Sequence, residues 1–193
     1  VQQIKCDFLT TTGRKFLRGP RGTGFLYISD KLLNRGYRPL FIDGKGANWL
    51  TPDTFQAVTG AQRFEHWEHP YALMVGFTTA LRYANTIGMQ NIQQRNQTLM
   101  QRFRANLATI PTVQTFDKGS QIGNILTFRK QDKSLAQIQA IFNKHKVYHN
   151  VSTKNWGVID YAKKGVDWTI RLSPHYFNTL AEMDEVATII DSI

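Results

Sequence analysis

Cys6-Asp7-Phe8-Leu9-Thr10-Thr11-Thr12-Gly13-Arg14-Lys15-Phe16-Leu17-Arg18-Gly19-Pro20-Arg21-Gly22-Thr23-Gly24-Phe25-Leu26-Tyr27 combines the densest basic cluster of the chain with three glycines in the six positions 19–24. No acid falls between Phe8 and Ser29. Gly24–Ile28 is rich in aromatic and branched side chains and reads as a buried strand, so the glycines read as a turn leading into it. The stretch is not a nucleotide-hydrolase phosphate loop, because no Gly-Lys-Ser/Thr closes it. A dinucleotide fingerprint needs a helix after its glycines, and here a strand follows. Two readings remain. In the first, the basic side chains simply sit in water around a turn. In the second, Lys15 lies among Arg14, Arg18 and Phe16, where cations and apolar surface disfavour the ammonium form and make the amine nucleophilic. Thr11, Thr12 and the backbone at Gly13 add donors that, with a guanidinium, suit a phosphate monoester. An aldehyde carrying a phosphate satisfies both halves, which describes pyridoxal phosphate held on a lysine as a Schiff base.

Outward from this stretch, residues 1–50 read as short strands and turns. The segment Gly36 to Pro52 mixes Gly, Pro, Asn and aromatics and reads as an irregular loop. Tyr71 to Thr86 is helical in pattern, with Gly88 as its C-cap. In the next helix, Ile92, Leu99, Phe103, Leu107 and Ile110 fall on one stripe, and Pro111 ends it. Beyond it, Val113–Phe116 and Asn124–Arg129 read as paired strands. Ser134 with Gln137 forms a capping box for a helix to about His145, and Thr179 with Glu182 forms another for the last helix. Val147–Val151 and Trp168–Ser173 are further strands. The order strand, strand, helix, strand, strand, helix predicts a small open sheet with helices on one face. The expected division is 1–70, 71–110 (connecting helices) and 111–193, with a boundary near Pro111.

The Lys15 stretch resembles the lysine segment of class V aminotransferases, the fold-type I pyridoxal-phosphate group that includes cysteine desulfurases and isopenicillin N epimerase-like proteins. Asp7-Phe8, Thr12-Gly13-Arg14-Lys15 and Gly19-Pro20-Arg21-Gly22-Thr23-Gly24-Phe25-Leu26-Tyr27 match the family's pattern in order, with Arg14 in place of the usual His. Arg171-Leu172-Ser173-Pro174-His175-Tyr176-Phe177-Asn178-Thr179 is similar to the family's Arg-x-Ser-x-x-x-Tyr-Asn-Thr segment. The resemblance implies an α/β fold: the remnant of a large-domain sheet (1–70) and a complete small α+β domain (111–193). It implies that Lys15 carries pyridoxal 5'-phosphate and moves the substrate α-proton, that Thr12 and Arg14 approach the cofactor phosphate, and that Arg171 clamps an amino-acid carboxylate. A guanidinium presents two parallel donors to a carboxylate, which fixes the substrate's orientation. Without the family, Arg171 reads equally as a strand-end residue in a surface salt bridge. His175 reads as a loop residue capping the next helix.

Departures from the pattern limit what is implied. Arg63-Phe64-Glu65-His66-Trp67-Glu68 places Glu68 where desulfurases carry a phosphate-binding Thr, and Trp67 reads as a packing residue. Gly44, Gly46, Asn48 and Trp49 occupy the loop that the family points across its dimer interface and are interface candidates, and the resemblance implies a homodimer in the parent protein. No cysteine lies between Lys15 and Arg171, and Cys6 reads as a buried, inert thiol, so persulfide-forming desulfurase chemistry is not expected. Amino transfer, epimerisation and carbon–sulfur lysis remain open. The chain begins at Val1 without a Met, and no family-type N-terminal half precedes the lysine. It therefore reads as a C-terminal fragment, with little cofactor affinity or turnover by itself.

Composition supplies the competing reading. The 193 residues carry a net charge of +10. Residues 1–110 hold 14 basic and 6 acidic side chains, a surplus of eight, against a surplus of two in the remainder. A basic, non-catalytic module for nucleic acid or an anionic partner would show this bias. Its aromatics are not interleaved with basic residues as in RNA-binding motifs. No apolar run approaches the roughly 20 residues of a membrane span. A single cysteine supplies neither a disulfide nor a structural zinc site, no metal is expected, and a reducing cytoplasm is the default compartment.

Overall fold

β1 (Phe8–Thr12) and β2 (Gly24–Ile28) pair antiparallel, Phe8 opposite Ile28 and Thr12 opposite Gly24. The register explains Gly24. A Cβ there would collide with the Thr11 carbonyl, so only glycine lets the two strands approach. The computed structural model describes residues 1–193, and they divide into two units, Val1–Ile87 and Gly88–Ile193. The first unit continues with α1 (Asp30–Asn34), a second antiparallel pair made by β3 (Ala47–Thr51) and β4 (Thr54–Ala57), a 3-10 turn at Ala61–Phe64, and α2 (Tyr71–Ile87). Ser29 caps α1 by accepting from the Leu32 N–H, and its hydroxyl donates to Asp7 at 2.8 Å. That bond, reinforced by Lys31, holds the Asp7 carboxyl below its ordinary pKa.

The β3–β4 hairpin is a correction to the irregular loop expected over 36–52. Trp49, Leu50 and Phe55 are all exposed, so no inward–outward alternation marks the strands in the sequence.

The second unit opens with α3 (Met89–Ala108), whose Ile92, Leu99, Phe103 and Leu107 are all buried. Gly88 stands as the N-cap of α3 at φ +90°, between the two helices rather than simply closing the first. A four-stranded antiparallel sheet follows, in the order β5-β6-β8-β7: β5 (Val113–Thr115), β6 (Leu126–Lys130), β7 (Asn150–Thr153) and β8 (Trp168–Leu172). Leu126 and Phe128 alternate inward on β6, as Ile170 and Leu172 do on β8. They pack with α3, with Ile138 and Phe142 of α4 (Leu135–Lys144), and with Met183, Ala187 and Ile190 of α6 (Leu180–Asp191). Burying such a side chain stabilises the fold by about 1.5–3 kcal/mol before entropy is counted. Lys130, 4% exposed, turns its ammonium onto the Ile190 and Asp191 carbonyls at the end of α6.

Two expectations change here. The stripe of α3 belongs to the sheet's core, so the division falls at Ile87–Gly88 and separates the two helices expected to connect the domains. The helices are also not confined to one face. α5 (Val158–Lys164) sends Tyr161 to the Thr169 hydroxyl (2.8 Å) and the Ser152 carbonyl (2.9 Å), and Thr169 alternates with core-facing Ile170. No helix is long and apolar enough to cross a membrane.

Candidate functional site

In the first unit, the connection from β1 to β2 is a turn pinned from inside. The Gly13 N–H donates to the Thr23 carbonyl (2.7 Å), and the Gly19 N–H to the Gly13 carbonyl (2.8 Å). The Thr23 hydroxyl donates to the Pro20 carbonyl at 2.7 Å. A Cβ at Gly13 would stand 2.6 Å from both Phe77 Cε2 and Thr23 Oγ1, so α2 seats directly against the turn. The Arg18 guanidinium lies 5.2 Å from the Tyr83 ring centre, and Gly22 adopts φ +81°.

These contacts leave Thr12, Arg14 and Lys15 displayed on a fixed backbone. All three are exposed, and their side chains enter no hydrogen bond or ion pair. A hydroxyl, a guanidinium and a primary amine within four residues form a donor and nucleophile set suited to a phosphorylated aldehyde. The apolar cover expected for Lys15 is not supplied by its neighbours: its side chain is exposed, as is Phe16.

Arg171 lies in the second unit, near the end of β8. It pairs in register with Thr127 on one side and Asn150 on the other. Its Nε is buried and without a hydrogen-bond partner. No ion pair involves Arg171, so the surface salt bridge weighed from sequence is not formed. An arginine donor removed from water and left unpaired is costly unless a ligand accepts from it.

The turn after Arg171 is held at several points that the sequence reading missed. Arg95 donates to the Asn178 carbonyl (2.8 Å), Asn178 Oδ1 accepts from the His175 N–H (2.9 Å), and Asn124 reaches the Pro174 carbonyl (3.3 Å). His175 stays in the loop, its ring stacked on Phe177 with Nδ1 accepting from the Tyr176 N–H, while Thr179 caps α6. Arg63, noted only as part of a motif, is buried. Its guanidinium donates to the carbonyls of Leu33, Tyr37, Val58 and Gly60. Trp67 is 62% exposed, which corrects its assignment as a packing residue, and Lys45 pairs with Glu65 at 2.7 Å beside it. Gly46 is closed in by the Arg63 carbonyl, whereas Trp49 of the same loop is exposed. Cys6 is partly buried just before β1, and no group of three or more His, Cys, Asp or Glu residues could hold a metal ion.

Comparison with known proteins adds a family. The model of aminotransferase class V matches residues 1–186. A probable cysteine desulfurase of Methanothermobacter thermautotrophicus is 24% identical over 100% of this chain and 49% of its own length. A cysteine desulfurase of Escherichia coli is 30% identical over 65% of this chain and 30% of its own. The solved apo structure of a cysteine desulfurase from Thermococcus onnurineus superposes with a TM-score of 0.87 at 22% identity, covering 100% of this chain and 48% of that one. The chain thus spans about half the length of the relatives it matches throughout. The nucleic-acid-binding alternative gains no support from these matches.

Proposed function

From a chain that belongs to the class V aminotransferase family, whose members use pyridoxal phosphate, we propose the C-terminal part of an enzyme that cleaves a carbon–sulfur bond of an amino acid. The observation that carries this reading is the pinned turn that displays Thr12, Arg14 and Lys15 with uncommitted side chains. The relatives favour carbon–sulfur cleavage over amino transfer or epimerisation, since those named above are cysteine desulfurases. The step departs from theirs in one respect: no cysteine lies between Lys15 and Arg171 to accept the sulfur, which leaves on the departing group instead.

Bound at this turn, pyridoxal phosphate supplies an electron sink for bonds broken next to the substrate's α-carbon. The protein's own groups do the rest. Lys15 Nζ holds the cofactor and then moves the α-proton. The Thr12 hydroxyl and Arg14 guanidinium donate to the phosphate, the guanidinium offering a planar fork of donors that one ring nitrogen of a histidine does not. Arg171 binds the α-carboxylate in parallel and so fixes which α-bond aligns for cleavage.

The test is chemical. The full-length protein is incubated with pyridoxal phosphate, reduced with borohydride and digested. A reduced adduct on the peptide containing Lys15, lost in Lys15→Ala together with turnover, is the expected result. An adduct undiminished by Lys15→Ala overturns the assignment.

A further inference from the structure

Arg171 shares its row of the sheet with two polar residues. Asn150 of the edge strand β7 is its partner on one side and Thr127 of β6 on the other. Side chains directly opposite each other on antiparallel strands share a face, with Cβ atoms about 4.5–5.5 Å apart. The shared face is the one away from the core. Arg171 alternates with buried Ile170 and Leu172, and Asn150 precedes Val151, which packs against the core.

The two neighbours differ in what they have left to give. The Thr127 hydroxyl donates to Asp117 Oδ1 at 2.7 Å, the Thr127 N–H donates to the same carboxylate, and Arg104 pairs with it at 3.0 Å. Asp117 is therefore already neutralised and does not compete for Arg171. Asn150 is exposed, and its side-chain amide makes no hydrogen bond. The row thus sets an uncommitted amide beside a guanidinium whose Nε is buried and unpaired.

We propose that Asn150 is a second carboxylate-binding residue, its side-chain N–H donating to the substrate α-carboxylate that Arg171 clamps. The inference rests on that reading of Arg171. A carboxylate offers about four acceptor sites and a bidentate guanidinium fills two, so one amide donor fits without displacing the clamp. Being neutral, the amide adds directional recognition of the carboxylate and no further charge.

The test uses the pyridoxal-phosphate-loaded full-length protein and two probes, L-alanine and ethylamine, which differ in the carboxylate. Dissociation constants are measured by calorimetry, so the readout does not depend on turnover. Asn150→Ala weakens L-alanine about tenfold, the loss of one hydrogen bond to a charged group. It leaves ethylamine and the melting temperature unchanged, because the side chain is exposed. Asn150→Asp weakens L-alanine further, since the new carboxylate repels the substrate's carboxylate and competes with it for the Arg171 guanidinium. Equal effects of Asn150→Ala on both probes, or no effect on either, overturn the proposal. Arg171→Ala separates the two levels. If it weakens L-alanine while Asn150→Ala does not, only the role of Asn150 falls. If Arg171→Ala also leaves L-alanine unaffected, the clamp falls and the present inference with it.

Discussion

Gly13 shows how much of the Lys15 turn is set by single atoms. An added methyl would meet Phe77 Cε2 and Thr23 Oγ1 at 2.6 Å, inside van der Waals contact. Gly13→Ala must therefore push α2 or the turn aside, at about 1–3 kcal/mol, the usual range for overpacking. Thermal melting should show a lowered midpoint, and the yield of the Lys15 adduct should fall with it because the displayed residues move. An unchanged midpoint would mean that the contact with Phe77 is not maintained in solution. This residue was legible in the sequence because the turn is local: glycines, cations and the following strand lie within sixteen positions. Arg63 was not legible. Its four acceptors are backbone carbonyls at Leu33, Tyr37, Val58 and Gly60, and a carbonyl leaves no trace in side-chain identity. Arg63→Met keeps the bulk and removes the donors. It should destabilise the first unit by about 1–3 kcal/mol, the penalty of leaving buried acceptors unsatisfied, without altering the melting of the second.

At the scale of elements, both capping boxes read from sequence are formed with both of their reciprocal bonds, at Ser134–Gln137 and Thr179–Glu182. Side chains three residues apart fix such motifs, so no knowledge of distant partners is needed. The β3–β4 hairpin and α5 were missed for the opposite reason. Val158 and Ile159 of α5 are exposed and Tyr161 is its one buried residue, so no apolar stripe announces the helix. Thr179→Ala should cost about 1 kcal/mol, as N-cap losses do. The same element sets an acid dependence. The Thr179 backbone N–H, with further bonds from the Thr179 hydroxyl and Asn178, holds the Glu182 carboxyl below its ordinary value of 4.5. Two residues on, hydrogen bonds from Arg102 and Asn106 hold Asp184 below 3.8. Both folded pKa values are depressed. The stability that these groups add is therefore present above their ordinary values and lost as pH falls through the folded ones. Glu182 is exposed and Asp184 partly so, so the effect is modest and weakens with salt. Denaturant titrations at falling pH should show a shallower acid loss in Glu182→Gln and Asp184→Asn than in the parent. Parallel curves would remove the linkage.

For the whole molecule, apolar burial is divided unequally. Of the buried hydrophobic residues, Ile28, Leu32, Phe77 and Ala84 lie in the first unit and the remaining eighteen in the second. The first unit meanwhile exposes Leu40 (90%), Phe41 (84%) and Trp49 (80%). Four buried side chains cannot offset the conformational entropy of ordering eighty-seven residues, which amounts to about 1–2 kcal/mol per residue for the backbone. The second unit, with a sheet packed under three helices, has a core of ordinary size. The 193-residue chain by itself should accordingly behave as two unequal halves. Hydrogen exchange should be slowest in β6, β8 and α3 and fast through residues 8–57. Sedimentation should show self-association that grows with concentration and is reduced by Leu40→Lys with Phe41→Lys, since large exposed apolar surface drives association. A monodisperse monomer whose β1–β2 pair is as protected as β6–β8 would show that the first unit holds itself together by means other than burial.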